Sequence, residues 1–157
     1  MTYALQDGGA HDDVKGPGHG FVDVYNTDGR LLRRFAPGGP LNSPWAVALA
    51  PGSGFGEAST PILIGNFGDG AINVYGREGG QRGALRDANG DSLAIDGLWG
   101  LHFGGGGGAA ATGPVTTLFF SAGPHEEAHG LFGKIEVAGV QPRAQSAPPS
   151  VRPAPAQ

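Results

Sequence analysis

The sequence has no cysteine, no long apolar run and few charged residues, and each absence excludes a class of protein. Without cysteine among its 157 residues, disulfides and thiolate metal sites are excluded. The 10 Lys and Arg residues are scattered and the formal net charge is −4, so we expect neither nucleic acid nor an anionic membrane as a partner. No apolar run approaches the roughly 20 residues of a membrane span, and no basic and hydrophobic leader follows Met1.

Glycine, by contrast, accounts for 31 residues, well above the usual level of about 7%. It mostly separates short apolar runs, apart from Gly104–Gly108, which indicates a loop insertion. Residues 138–157 are rich in Pro, Ala, Ser and Gln, so we expect a disordered tail there. Residues 1–19 are polar and Gly-rich and are interpreted as a lead-in. The segment 20–137 is left to form the folded core.

The folded segment contains an internal repeat with a period of about 50 residues. Three segment types recur in the same order: GFVDVY (Gly20–Tyr25) matches GAINVY (Gly70–Tyr75), SPWAVALA (Ser43–Ala50) matches GLWGLHFG (Gly97–Gly104), and PILIGNFGDG (Pro61–Gly70) matches TLFFSAGPHEEAHG (Thr117–Gly130). Each run is short, rich in β-branched or aromatic residues and bounded by Gly, Pro, Asn or Asp, as strands are. Hairpin turns are indicated at Asp28-Gly29 and Asn89-Gly90, and no segment has the pattern of a long helix.

These features predict an all-β fold, a partial β-propeller of a little over two four-stranded antiparallel blades. Residues 20–36 supply the last two strands of one blade, 42–86 a full blade, and 97–137 an incomplete blade without its outermost strand. A propeller closes with at least about four blades, so we expect missing blades or self-association to be needed for stability. A truncated gene product without independent function is the alternative interpretation of this incomplete ring.

The ordered motifs KGPGHGFVDVYNTDGRLLRRFAPGGPLNSPWAVALAP, ILIGNFGDGAINVY, IDGLWGLHFG and SAGPHEEAHGLFGKIE resemble the C-terminal part of an uncharacterised group of bacterial NHL-like β-propellers, some with PEP-CTERM-type sorting tails. The resemblance implies a six-bladed ring and an extracytoplasmic location for the full-length family. A chain made without a signal peptide would remain in the cytoplasm. The resemblance supplies no catalytic residues to carry over, and we expect no cofactor.

The segment GPHEEAHG contains the H-E-x-x-H pattern of zinc proteases in His125, Glu126 and His129. In those enzymes the pattern lies on a helix of several turns. Here Pro124 and Gly130 enclose it between strand-like runs, and so short a helix would be unstable. We therefore predict an exposed turn, with a weak divalent cation site as a minor alternative.

Two equivalent tryptophans, Trp45 and Trp99, fall on the strands that would line a central channel. Packing between blades is the simpler explanation, and a ligand-facing aromatic is the alternative. The polar residues next to these strands are the candidates for a ligand site at the channel mouth: Asn42, Ser43, Asp96 and His102. We expect a non-catalytic binding or scaffold module. A fragment of a metal-dependent, lactonase-like or lyase-like propeller enzyme is the alternative.

Overall fold

A computed structural model describes residues 1–53, 55, 60–107 and 112–138. Those residues are all-β: they contain strands and turns but no helix, and none of them forms a helix of the length and apolar character needed to cross a bilayer. Ten strands are present: β1 Thr2–Ala4, β2 Gly20–Tyr25, β3 Leu31–Pro37, β4 Pro44–Leu49, β5 Ile62–Asn66, β6 Ile72–Tyr75, β7 Gln81–Ala84, β8 Leu98–Phe103, β9 Leu118–Ala122 and β10 Leu131–Ile135.

The strands form three antiparallel sheets, in chain order. Sheet 1 has the order β1-β2-β3, sheet 2 the order β4-β5-β6-β7, and sheet 3 the order β8-β9-β10. The predicted all-β class and the four-stranded middle sheet are confirmed. The predicted disordered tail lies outside the described residues, apart from its first residue, Ala138.

The predicted lead-in, residues 1–19, contains a strand that sequence reasoning missed. β1 pairs with β2, with Tyr3 opposite Phe21, and the two rings stack with centroids 4.7 Å apart. A three-residue strand is too short to show an alternating pattern, so its formation depends on the partner strand rather than on its own sequence.

The three sheets pack face to face around two apolar clusters. Between sheets 1 and 2, Val22, Phe35 and Leu41 pack with Ile64 and Tyr75. Between sheets 2 and 3, a larger cluster is centred on β4, β5 and β8, and β4 packs against β8. The buried members of this cluster are Ala46, Ala48, Ala50, Phe55, Leu63, Ile72, Ile95, Leu98, Leu101, Leu118 and Ala122. Alternation along each strand directs these side chains toward the neighbouring sheet.

Two glycines allow close approaches of the backbone, one between sheets 1 and 2 and one within sheet 3. Gly79, in the turn between β6 and β7, has φ +92°, and a Cβ there would overlap the carbonyl oxygen of Phe35 in sheet 1. Gly97, just before β8, has φ +63°, and its Cβ would overlap the carbonyl oxygen of Gly123. Only glycine combines this left-handed conformation with such a short backbone separation.

Candidate functional site

The structure divides the six predicted ligand-site residues into two sets on neighbouring strands. Asn42, Ser43 and Trp45 lie at the start of β4, and Asp96, Trp99 and His102 lie before and along β8. Because β4 and β8 pack against each other, the repeat places the two sets on adjacent strands of neighbouring sheets.

In the first set, Asn42 belongs to a polar network that connects three loops. Its Oδ1 accepts a hydrogen bond from the Gly16 amide at 2.6 Å, and its Nδ2 donates to Asp69 at 3.2 Å. Asp69 also accepts from Asn66 Nδ2 and from the Ala71 amide, each at 3.0 Å. The carboxylate of Asp69 therefore accepts three hydrogen bonds that connect the loops at this end of sheet 2.

Two buried polar atoms in the same region have no hydrogen-bond partner: Ser43 Oγ and Asn66 Oδ1. Both residues are completely inaccessible to solvent. Ser43 also has φ +48°, a left-handed conformation that is uncommon for serine. Ser43 immediately precedes β4.

Trp45 stacks on Phe67 with ring centroids 4.5 Å apart and an interplanar angle of 16°. The ammonium group of Lys15 lies 4.5 Å from the centre of the Phe67 ring. Trp45 still exposes 42% of its surface, as part of an apolar row with Val47 and Leu49 on one side of β4. Packing therefore fixes the orientation of the indole and leaves part of it in solvent.

In the second set, Trp99 and Asp96 hold the loop between β9 and β10. Trp99 Nε1 donates to Glu127 Oε1 at 2.6 Å, and Asp96 Oδ2 accepts from the His125 amide at 3.0 Å. His102 is exposed on β8, opposite Phe119 of β9. Asp96 and Trp99 thus meet the same loop, whereas His102 lies farther along the strand.

The segment around H-E-x-x-H is an exposed turn, as predicted. His125, Glu126 and Glu127 have φ values of 55°, 55° and 64°, so the chain turns with left-handed geometry and cannot present a protease-type helix. The rings of His125 and His129 lie edge to face with centroids 5.8 Å apart. Within the described ranges, no three His, Asp or Glu side chains are grouped as metal ligands would be.

A groove between sheets 2 and 3, here called the sheet 2–3 groove, was not predicted. It encloses about 480 Å³ and is mainly apolar, and none of the six predicted residues lines it. Sheet 2 contributes Leu63 and Val74, the residue after β7 contributes Leu85, and Ile135 at the end of β10 and Val137 beyond it line the other side. A signal for it exists in the repeat, because Leu85 and Ile135 replace larger residues of the preceding interface.

Charged residues at the rim of this groove have depressed pKa values. Hydrogen bonds from backbone amides, led by that of Asp91, lower the pKa of Asp87 below its ordinary value. The Lys134 side chain donates to Glu136 and lowers the pKa of that carboxyl. The carboxylates of Asp87 and Glu136 are therefore ionised at neutral pH, and they lie at the rim of the apolar groove.

No protein-family model matches the chain. No solved structure matches it either. The chain is similar to three proteins of Acanthamoeba polyphaga mimivirus. Uncharacterized protein L690 is 37% identical over 125 residues, which is 78% of this chain and 30% of that protein. Uncharacterized protein R648 is 37% identical over 125 residues, 28% of its length. Uncharacterized protein R640 is 42% identical over 89 residues, 17% of its length.

These comparisons correct the resemblance drawn from the motifs. The assignment to a bacterial NHL-like propeller family is wrong, because the relatives found are viral proteins and no family model supports it. The chain spans less than a third of the length of the curated relatives it matches. The extracytoplasmic location implied by the same resemblance stays a prediction.

Proposed function

We propose that the chain is a non-catalytic binding or scaffold module and that its sheets are neighbouring parts of a β-propeller-type stack. The observation that supports this proposal is the repeated packing of successive sheets. Trp45 and Trp99 occupy equivalent positions on β4 and β8, which pack against each other. Stacked repeats of this kind present broad surfaces to partners.

The hydrogen bonds of the candidate residues favour binding over catalysis. A general base has to reach a proton of the substrate. The Asp69 carboxylate is instead engaged by two asparagine side chains and a backbone amide, and Asp96 accepts from the His125 amide. These carboxylates hold loops in place, and the exposed indole of Trp45 is left as the apolar contact surface at this end of β4.

The experiment that tests this proposal measures metal content. The wild-type chain and the variant Asp69→Asn are purified, dialysed and analysed for divalent metals by mass spectrometry. We expect well under one equivalent of metal in both proteins, and a lower melting temperature in the variant. One tightly held equivalent in the wild type that is lost in Asp69→Asn would overturn the proposal in favour of a metal-dependent enzyme, since Asp69, Asn42 and Asn66 are the oxygen-bearing side chains grouped at this end.

A further inference from the structure

The two interfaces between sheets are built from equivalent positions but not from equivalent residues. Between sheets 1 and 2, Tyr75 packs on Phe35 with ring centroids 5.9 Å apart, and both are buried. In sheet 2, Tyr75 pairs with Ile62, the first residue of β5. In sheet 3, Ile135 pairs with Leu118, the first residue of β9. Ile135 therefore takes the place of the tyrosine.

The other half of this aromatic pair is replaced as well. Leu31 pairs with Tyr25 in sheet 1, and Gln81 pairs with Tyr75 in sheet 2. Phe35 lies four residues after Leu31, and Leu85 lies four residues after Gln81. The two residues therefore occupy the same position in their sheets. The second interface thus has Leu85 and Ile135 where the first has Phe35 and Tyr75. Two aliphatic side chains fill less space than two aromatic rings, and the sheet 2–3 groove lies between them.

A strand edge that no other described residue pairs with borders this groove. Within the described residues, β10 pairs only with β9 and is the edge strand of sheet 3, and Ile135 and Val137 line the groove. An exposed edge presents backbone N–H and C=O groups that can pair with another strand. An edge beside a side-chain pocket is the arrangement that binds extended peptides by strand addition.

The charges at the end of β10 restrict which strand fits. Lys134 and Glu136 form an ion pair at 3.0 Å, and both side chains are more than half exposed. They flank Ile135 in the chain and lie at the rim of the groove. A strand running antiparallel to β10 would match both charges if it carried a basic residue opposite Glu136 and an acidic residue opposite Lys134. Opposite charges directly across a strand pair are stabilising, and like charges are destabilising.

We propose that the sheet 2–3 groove and the outer edge of β10 bind an extended segment of a partner protein. The segment runs antiparallel to β10, places an aromatic side chain in the groove, and presents a base opposite Glu136 and an acid opposite Lys134. This site is separate from the ends of β4 and β8. The proposal therefore goes beyond the function proposed above and can fail without affecting it.

The probe is the capped peptide acetyl-Lys-Phe-Glu-Val-Thr-Val-Thr-amide, and its binding to the full chain is measured by isothermal titration calorimetry. Aligned antiparallel, its Lys lies opposite Glu136, its Glu opposite Lys134 and its Phe opposite Ile135, which lines the groove. A peptide with Lys and Glu exchanged has the same composition and should bind roughly tenfold more weakly, because both charge pairs become repulsive. Replacing its Phe by Ala should weaken binding by at least about tenfold.

The matched protein variant is Leu85→Phe/Ile135→Tyr, which copies the aromatic pair of the first interface into the second. We expect it to fill the groove, to keep or raise the melting temperature, and to reduce peptide affinity at least roughly tenfold. Leu32→Phe adds a ring at an exposed position of β3 and should leave peptide binding unchanged.

Four results would overturn the proposal. The first is the absence of binding at millimolar peptide, and the second is equal affinity for the two charge-exchanged peptides. The third is slow hydrogen exchange at the edge amides of β10 in the free protein. Slow exchange would mean that another part of the chain, or a second copy, already covers this edge. The fourth is retained affinity in a folded Leu85→Phe/Ile135→Tyr variant, because the aromatic side chain would then not occupy the groove.

Discussion

Phe35 of sheet 1 and Tyr75 of sheet 2 lie with ring centroids 5.9 Å apart at an interplanar angle of 55°, and they join two sheets that share no strand. The pair also involves the backbone, because the carbonyl of Phe35 lies against Gly79, in the turn that follows Tyr75. The stability lost when this contact is removed therefore measures how strongly sheets 1 and 2 are attached to each other.

Phe35→Ala should lower the free energy of unfolding by about 3–5 kcal/mol, because it leaves a cavity between the sheets. Phe35→Leu should cost less, about 1–2 kcal/mol, since the second interface uses leucine at this position. Denaturant titrations followed by circular dichroism measure both values. The exposed neighbour Leu32 provides the control, and Leu32→Ala should change stability by no more than about 0.5 kcal/mol. Equal effects of the two alanine variants would contradict a buried role for Phe35.

Gly97→Ala should destabilise the protein by at least about 2 kcal/mol. The substitution combines the strain of a left-handed backbone with overlap between the new methyl group and the carbonyl oxygen of Gly123. Gly29 is a matched control, since it has φ +78° but open space around the position of a Cβ. Gly29→Ala should therefore cost only about 1 kcal/mol. Both variants carry the cost of the left-handed backbone, and only Gly97→Ala adds a steric overlap. The difference between their melting temperatures therefore measures the cost of the overlap.

Asp69→Ala should cost about 1–3 kcal/mol, because the side-chain amide of buried Asn42 and the Ala71 amide lose their acceptor. Asp28 lies in an exposed turn, and Asp28→Ala should change stability by no more than about 0.5 kcal/mol. Comparison of the two chemical denaturation midpoints at pH 7 measures the difference. A neutral Asp69→Ala would show that the polar network does not hold the loops.

Acid should lower the free energy of unfolding partly because the carboxylates of Asp7 and Asp87 become protonated. The pKa of Asp7 is lowered chiefly by the hydrogen bond from the His11 amide, and that of Asp87 chiefly by the one from the Asp91 amide. A depressed pKa in the folded state stabilises the protein above the ordinary value of 3.8. That stability is lost as pH falls through the lower folded-state pKa.

In the double variant Asp7→Asn/Asp87→Asn, the free energy of unfolding should therefore fall less steeply than in the wild type as the pH drops below 3.8. Between pH 6 and 8 the difference between variant and wild type should stay constant, because both carboxylates are ionised throughout. Denaturation midpoints recorded across both ranges test this, and an unchanged acid slope would contradict it.

The sequence alone determined the features that local chemistry controls. Alternating apolar residues between glycines specified the strands. The predicted hairpin turn at Gly29 formed, with its amide bonded to the Asn26 carbonyl, and the H-E-x-x-H segment became a turn because Pro124 and Gly130 enclose it. The family resemblance, which depended on motif likeness rather than on physical constraints, was wrong.

Only the tertiary structure decided which residues meet across the sheets. β1 is a strand because β2 lies beside it, and the contact between Trp99 and Glu127 joins residues far apart in the chain. Leu85 and Ile135 line the sheet 2–3 groove at the positions where the first interface has two aromatic rings. The repeat shows that these residues are exchanged, but the volume that remains depends on the summed packing of several distant side chains, which no local pattern encodes.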